Sequence, residues 1–261
     1  MSFGHINGID LYYEVHGEGP ALVFAHGAGG NHLSWWQQAP AFSKHFRSIT
    51  FDHRGFGFSR DVPDGPGARA YVDDLRALLD HLGIHRAAFV SQSMGGWTVL
   101  GFACTYPERV SALALCDTMA GLDDPDVINE MNLHGVPKGG LSQVLARVYA
   151  EDFPAREPAK AFLYHQISAL NLHVPPDLLP AMMSLRFRVE PIVDARVPAM
   201  LLVGEEDKLT TPKLMELMAR RIPHSRFVKV PGAGHSVYFE KPEEYNRVLM
   251  DFLKEAGADR A

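Results

Sequence analysis

The feature that most constrains the fold is a series of short, uninterrupted apolar runs spaced along the chain. The first, Ala21–Ala25, follows the turn residues at positions 17–20. A strand of a parallel sheet is covered by helices on both faces, and it therefore reads as a continuous apolar run. Runs of the same kind occupy residues 87–90, 112–116 and 199–203, and similar but partly polar runs occupy 48–51 and 226–230. These runs predict the strands of a mostly parallel sheet.

Helical patterns lie between most of these runs. Apolar residues recur at helical spacing in residues 71–82, 213–222 and 243–253. Near the start, Asn7-Gly8 is a hairpin-turn signal between residues 5–6 and 9–15. Alternating strands and helices imply right-handed crossovers and helices on both sheet faces. We therefore predict an α/β fold with a mostly parallel, eight-stranded sheet flanked by helices.

One long section interrupts the alternation of strands and helices. Between residues 122 and 196 no strand pattern occurs, and short amphipathic helices are predicted at 141–149, 159–171 and 178–185. The section lies between two strand runs, which indicates an insertion rather than a tail. We expect a core formed by residues 1–121 and 197–261, with a helical cap inserted at 122–196.

Composition excludes several classes of function. The chain has 261 residues and a net charge of −6, and its basic residues are scattered, which argues against a nucleic-acid partner. No segment approaches the length of an apolar membrane span, and the first residues lack the pattern of an export signal. We expect a cytoplasmic protein with no membrane partner. Cys104 and Cys116 match no metal or redox spacing, which predicts buried free thiols.

The candidate for chemistry is Ser93, in the sequence Ser-Gln-Ser-Met-Gly-Gly at residues 91–96. A serine between small residues, after a strand and before a helix, is the pattern of a nucleophile elbow. Gly95 and Gly96 would let strand and helix approach closely around a strained turn. Ser91 stands where glycine is usual, and a plain tight turn is the alternative interpretation. A serine hydroxyl also needs a base and an orienting acid to become a nucleophile.

The expected base and acid follow Ser93 in the order acid, then histidine. His235 is the candidate base, because it lies on a glycine-bearing loop after the last apolar run. Asp207 is the candidate acid, in the loop after the run that ends at residue 203. Glu205 and Glu206 are nearby rivals. Asp117 is the main competitor, since it too follows a strand run, and the sequence leaves open whether it assists or replaces Asp207.

Acyl transfer also requires N–H donors for the oxyanion that forms during attack. We expect one donor from the backbone of Met94, beside Ser93, and the other from Ala28 in the loop after the run Ala21–Ala25. The glycines of that loop suggest a phosphate-binding loop as an alternative. That alternative fails on spacing, because His32 stands where the third glycine would be needed.

These residues lie in motifs that resemble those of the α/β-hydrolase superfamily along nearly the whole chain. The resemblance implies a triad of Ser93, Asp207 and His235, an oxyanion hole from Ala28 and Met94, and a helical cap. The motifs that carry it are HGAGG, FDHRGFGFS, SQSMGG, YPERV, VGEEDKLTTP and GAGHSVYFEKPEEYN, in the order of the superfamily.

The resemblance narrows the chemistry. Haloalkane dehalogenases and epoxide hydrolases share the fold but place an aspartate at the elbow, so Ser93 argues against both activities. Members with SMGG include esterases, enol-lactonases and C–C bond hydrolases. The C–C hydrolases usually carry a tryptophan after the histidine, where this chain has Ser236. Arg54 resembles a structural arginine of the superfamily.

We therefore expect a serine hydrolase that cleaves an ester, lactone or thioester of a small, largely apolar substrate through an acyl-enzyme on Ser93. The alternatives are a C–C bond hydrolase or enol-lactonase, and a ligand receptor of slow turnover on the same fold. Trp36, Trp97 and Val237 neighbour the motifs and are candidates for substrate contacts, although core packing is the alternative role. No metal or organic cofactor is expected.

Overall fold

A computed structural model describes residues 2–134 and 141–260 of the protein. These residues contain one eight-stranded sheet, in the spatial order β1-β2-β4-β3-β5-β6-β7-β8. The strands are β1 (Ser2–Ile6), β2 (Ile9–His16), β3 (Ala21–Ala25), β4 (Arg47–Phe51), β5 (Ala87–Gln92), β6 (Val110–Cys116), β7 (Ala199–Gly204) and β8 (Arg226–Val230).

The sheet is mostly parallel, as the sequence predicted. β2 pairs antiparallel with both β1 and β4, and the remaining neighbours pair in parallel. The β1–β2 hairpin closes at the pair Ile6 and Ile9. Its two turn residues both have positive φ, 48° at Asn7 and 80° at Gly8. A type I′ turn requires this backbone, which explains the Asn-Gly sequence.

The helices flank the sheet and fill the section between β6 and β7. Short 3₁₀ turns occupy His32–Trp35, Gly67–Ala70 and Pro107–Arg109. The α-helices of the described residues are α1 (Ala39–Phe42), α2 (Tyr71–His81), α3 (Gly95–Thr105), α4 (Pro125–His134), α5 (Leu141–Leu145), α6 (Phe153–Arg156), α7 (Pro158–Ala169), α8 (Leu178–Met183), α9 (Glu190–Asp194), α10 (Pro212–Arg221), α11 (Val237–Glu240) and α12 (Pro242–Glu255). None of them has both the length and the apolar character needed to cross a membrane.

Residues 122–196, hereafter the helical insertion, contain helices α4 to α9 in their described part. No strand is found in that part, and one isolated β-bridge joins its residues Leu122 and Phe187. The helix expected at 141–149 ends earlier, at Leu145, and α4 was not anticipated. Asp124 begins α4, because its carboxylate accepts the N–H groups of Asp126 and Val127. The division of the chain into core and cap stays a prediction.

Alternate residues of the central strands pack into two apolar layers, one on each sheet face. In β3, Leu22 and Phe24 belong to the layer that contains Trp35. Val23 and Ala25 belong to the opposite layer. Burial on both faces explains why the strand sequences are apolar without interruption. Because β3 and β5 to β8 run in parallel, the loops at their carboxyl ends meet at one edge of the sheet.

The two cysteines match the expectation of buried free thiols in part. Both are free thiols. Cys116 is fully buried in β6, and Cys104 lies partly buried in α3. Burial raises the pKa of the Cys104 thiol to about 12, so that it stays protonated at neutral pH and is a poor nucleophile.

Candidate active site

Ser93 lies in the turn between β5 and α3, with a strained backbone. Its φ is 49°, in the left-handed region that a residue with a side chain rarely adopts. Two hydrogen bonds hold the turn: the Ser93 N–H donates to the Cys116 carbonyl at 3.1 Å, and the Thr118 hydroxyl donates to the Ser93 carbonyl at 2.6 Å. Such strain persists only where the surroundings fix it, and it is concentrated at functional sites.

The two glycines after Met94 are required by close contacts. A Cβ atom on Gly95 would lie 2.2 Å from the carbonyl oxygen of Ala25 in β3. A Cβ atom on Gly96 would lie 2.1 Å from the Thr118 hydroxyl oxygen. Either side chain would therefore push α3 away from the sheet and disturb the turn.

Asp207 and His235 form a buried pair. The ring Nδ1–H of His235 donates to Asp207 Oδ2 at 2.8 Å. The same oxygen accepts the Thr210 hydroxyl at 2.6 Å, and Oδ1 accepts the N–H groups of Leu209 and Thr210 at 2.7 and 2.9 Å. These hydrogen bonds fix the position of the carboxylate, and the carboxylate in turn fixes the orientation of the histidine ring.

Asp117, the rival acid, has a different environment. It is fully buried, and its Oδ1 accepts the Gly204 N–H at 3.0 Å. Its Oδ2 has no hydrogen-bond partner among the described residues. Burial and the nearby charge of Asp207 raise the pKa of the Asp117 carboxyl well above its ordinary value. Asp117 is therefore a neutral acid, and the hydrogen bond from the His235 ring goes to Asp207.

Gln92 links the Ser93 turn to the loop of His235. Its side-chain Nε2 donates to the His235 carbonyl at 2.8 Å. A Cβ atom on Gly27 would lie 2.0 Å from Gln92 Oε1 and 3.2 Å from Ser93 Cβ. The loop after β3, the Ser93 turn and the His235 loop therefore meet around this one amide.

Ala28 follows Gly27 and Met94 follows Ser93, so each is the sequence neighbour of a residue at this junction. Both residues are buried. Among the described residues, neither N–H donates a hydrogen bond to another protein atom. Met94 also immediately precedes α3, where the positive end of the helix dipole lies. Two N–H groups without protein acceptors beside a serine suit an anionic oxygen.

Two buried histidines support the loop that carries Ala28. The Nδ1–H of His26 donates to the Gly27 carbonyl at 2.8 Å, and His26 Nε2 accepts the N–H of His53 at 3.0 Å. Burial lowers the pKa of His26 below its ordinary value of 6.5 to about 4. The ring is therefore neutral at physiological pH, and the two hydrogen bonds fix its tautomer.

The helical insertion also contacts the loop after β3, which carries Ala28. A Cβ atom on Gly29 would lie 2.5 Å from Leu145 Cδ2 and 3.5 Å from the Tyr164 hydroxyl. The hydroxyl oxygens of Tyr164 and Ser236 are 3.5 Å apart. Burial raises the pKa of Tyr164 to about 12, which keeps its proton in place. The insertion thus brings one apolar and one hydrogen-bonding side chain to the loop of Ala28.

Of the three side chains expected to contact substrate, Trp36 lies in a surface groove, whereas Trp97 and Val237 are buried. Trp36 is 42% exposed and lines a surface groove with Glu14. Trp97 is buried, with its indole against Gly121. Val237 has no accessible surface, because it packs into the apolar layer beneath its own short helix. A side chain without accessible surface offers no contact to a ligand, so the structure favours core packing for Val237.

Sequence reasoning missed four polar residues that shape this site. Gln92 directly precedes Ser93, and Thr210 lies three residues after Asp207, so position alone could have drawn attention to them. Glu240 lies five residues after His235 in the same motif. Tyr164 carried no such signal, because it belongs to the insertion and reaches the site only through tertiary packing.

The groups described above suit a reaction in which a histidine transfers a proton and a negative charge develops on an oxygen atom. A serine at a strained turn, a histidine whose ring donates to a carboxylate, and two N–H groups without a protein acceptor among the described residues belong to three loops that meet at Gln92. In residues 2–134 and 141–260, no group of three or more His, Cys, Asp or Glu side chains is arranged to hold a metal ion.

Comparison with known proteins places this arrangement in a family. A family model described as the alpha/beta hydrolase fold matches residues 20–188 and 148–242. The chain therefore belongs to the α/β-hydrolase fold family. It is similar to a Caulobacter sp. (strain K31) protein named as a carbamate hydrolase, RutD, with 28% identity over 99% of this chain and 100% of that protein.

Solved structures give the same class. An esterase from Thermogutta terrifontis is 30% identical, with a TM-score of 0.79 over 95% of this chain and 94% of its own. An enol-lactonase from Burkholderia xenovorans LB400 is 28% identical, with a TM-score of 0.80 over 97% of this chain and 100% of its own. The protein is a hydrolase of the α/β fold.

Proposed function

We propose that this protein is a serine hydrolase that cleaves a carboxylic ester, thioester or lactone of a small, largely apolar molecule. The observation that supports the proposal is the buried Asp207–His235 pair, on a loop that the side chain of Gln92 joins to the strained turn of Ser93. The similarity to an esterase and an enol-lactonase supports it. The proposal includes no metal, no organic cofactor and no macromolecular partner.

The reaction proceeds in two steps. Ser93 Oγ attacks the carbonyl carbon while His235 Nε2 accepts its proton, and the Asp207 carboxylate holds the opposite Nδ1–H. The carbonyl oxygen becomes negatively charged and accepts the N–H groups of Ala28 and Met94. His235 then gives its proton to the leaving oxygen or sulfur. In the second step His235 activates a water molecule, which releases the acid and restores Ser93.

The substrate class follows from the side chains near the loop of Ala28. Leu145 offers an apolar surface, and the protonated Tyr164 offers one hydrogen-bond donor. A lactone is an intramolecular ester, so it needs the same attack and the same oxyanion donors. Ser236, where C–C bond hydrolases usually carry tryptophan, weighs against that reaction.

A fluorophosphonate label tests the nucleophile. The wild-type protein should take up one label per molecule, on the peptide that contains Ser93, because the reagent phosphonylates an activated serine. Ser93→Ala should take up none and should lose ester hydrolysis. Ser91→Ala is the matched control, since this serine lies two residues away and its hydroxyl donates to a strand carbonyl, that of Ala114.

Two outcomes would contradict the proposal: a label on a residue other than Ser93, or undiminished hydrolysis of p-nitrophenyl esters by Ser93→Ala. Rates for a set of esters, thioesters and lactones of increasing acyl length would then define the preferred substrate. Small apolar acyl groups should give the highest kcat/KM.

A further inference from the structure

Besides Asp117, the proposed reaction leaves a second buried acid near the site without a role. Glu240, at the end of α11, is 4% exposed. Its carboxylate accepts three backbone N–H groups: Oε1 accepts those of Gly234 at 2.9 Å and Ser236 at 3.3 Å, and Oε2 accepts that of Ala150 at 2.9 Å. Burial raises the pKa of the carboxyl, whereas the three donors lower it.

These donors belong to two different parts of the chain. Gly234 and Ser236 flank His235 in the loop of residues 231–236, hereafter the His235 loop. Ala150 belongs to the helical insertion. One side chain therefore binds the insertion with one oxygen and both neighbours of His235 with the other.

The backbones meet directly at this point. A Cβ atom on Gly234 would lie 2.3 Å from the Ala150 nitrogen and 2.4 Å from the Tyr149 carbonyl carbon. Nearby, the Arg156 guanidinium of the insertion donates to the Gly232 carbonyl at 3.4 Å. The insertion thus rests on the His235 loop itself, with no side chain between them at Gly234.

Three anchors from different elements hold His235. Glu240 binds the N–H groups on either side of it, Gln92 binds its carbonyl, and Asp207 binds its ring. A buried N–H that loses its acceptor destabilises the structure around it, so each of these anchors restrains the loop. Glu240 is the one anchor that also holds the insertion.

We propose that Glu240 is a positioning residue, which fixes the His235 loop and the helical insertion to each other so that His235 is aligned only when the insertion is seated. The proposal rests on the proposed function, because it assigns His235 the role of base. Since misplacement of a reacting group by about 1 Å can cost a factor of about 100 in rate, loss of this carboxylate should impair catalysis and substrate binding together.

The substitution Glu240→Gln tests the proposal. Glutamine has nearly the same shape as glutamate, but it has only one side-chain oxygen. Its NH₂ group would replace the other oxygen and would face a backbone N–H that has lost its acceptor. Glu243→Gln is the matched control, because it removes the same charge at an exposed position three residues along. Fluorophosphonate titration counts the active sites in each preparation, so the kinetic constants refer to folded enzyme alone.

Per titrated site, Glu240→Gln should show kcat lowered about tenfold or more and KM raised about threefold or more, whereas Glu243→Gln should match the wild type. A lower melting temperature with unchanged kcat and KM per site would overturn the proposal. Failure of the wild type to label at Ser93 would instead overturn the proposed function.

Amide hydrogen exchange in the wild-type protein gives a second test that needs neither activity nor a stable variant. If one carboxylate joins the two segments, the amides of Ala150, Gly234 and Ser236 should open as one unit, with protection factors within about tenfold of each other. Amide exchange at Ala150 that is about a hundredfold or more faster than at Gly234 would overturn the proposal. Because this test uses the wild-type protein, it applies even if Glu240→Gln does not fold.

Discussion

Two buried aspartates lie at the carboxyl end of the sheet, and their hydrogen bonds differ. Asp207 accepts four donors, one of them from the ring of His235. Asp117 accepts the Gly204 N–H on one oxygen and has no partner on the other among the described residues. Burial and the nearby charge of Asp207 raise the pKa of the Asp117 carboxyl, which therefore keeps its proton.

The first prediction concerns the replacement of each of these two aspartates by asparagine. Asp207→Asn should lower kcat by about a thousandfold to ten-thousandfold, because an amide no longer stabilises the protonated imidazole or fixes its tautomer. Asp117→Asn replaces a neutral acid with a neutral amide that still accepts the Gly204 N–H. Its kcat should remain within about threefold of wild type. Steady-state hydrolysis of a p-nitrophenyl ester measures both.

The reverse pattern, a large loss in Asp117→Asn with near-normal activity in Asp207→Asn, would transfer the orienting role to Asp117. The sequence could nominate both acids, since each directly follows an apolar strand run. It could not choose between them, because the choice depends on where the ring of His235 points after folding.

At the scale of elements, the connection from β5 to α3 carries most of the site. β5 lies between β3 and β6, and α3 begins at Gly95 with no room for a side chain on either of its first two residues. The closeness of helix and strand produces the strained backbone at Ser93. Stability and function therefore depend on the same glycines.

The second prediction concerns Gly95→Ala. The new Cβ would lie 2.2 Å from the Ala25 carbonyl oxygen, which is backbone in the middle of the sheet and cannot rotate away. We expect a loss of about 2 to 4 kcal/mol in the free energy of unfolding, together with loss of fluorophosphonate labelling. Urea denaturation and label stoichiometry measure the two effects. A loss below about 0.5 kcal/mol would show that α3 does not approach β3 this closely.

Elements with a strong local pattern could be predicted, and the others depend on tertiary contacts. The periodicity of residues 71–82 predicted α2, and Asn7-Gly8 predicted the hairpin. The helix α4 lacked a strong apolar stripe, and it begins where Asp124 caps it. Val237 lies only two residues after His235, but it begins the short helix α11 and its side chain is buried in the core. A residue's distance from a motif along the chain does not tell which way its side chain points.

Across the whole molecule, buried polar groups link folding to pH. Burial lowers the pKa of His26 from 6.5 to about 4. As the pH falls through about 6.5 the unfolded chain binds a proton at this residue, whereas the folded protein does not do so until about pH 4. The contribution of His26 to the free energy of unfolding is therefore present above pH 6.5 and is lost as the pH decreases from 6.5 to 4.

The third prediction isolates this effect with His26→Gln, which keeps a donor and an acceptor but does not titrate. Between pH 7.5 and 4.5 the free energy of unfolding of the wild type should fall by about 2 to 3 kcal/mol more than that of the variant. Urea titrations of both proteins at the two pH values give the difference. Other groups, including Asp117 and Glu240, titrate in both proteins, so their contributions cancel in the comparison. Equal losses in the two proteins would show that His26 is accessible to protons in the folded state.

The central claim is that an ester passes through an acyl-enzyme on Ser93, and the most direct measurement is a rapid-mixing experiment with a p-nitrophenyl ester whose deacylation is slow. We predict a burst of p-nitrophenol equal to one molecule per titrated site, and an acyl mass on the peptide that contains Ser93 when the reaction is quenched during the burst. Ser93→Ala should show neither. A burst that survives in Ser93→Ala, or an acyl group found on another residue, would contradict the account.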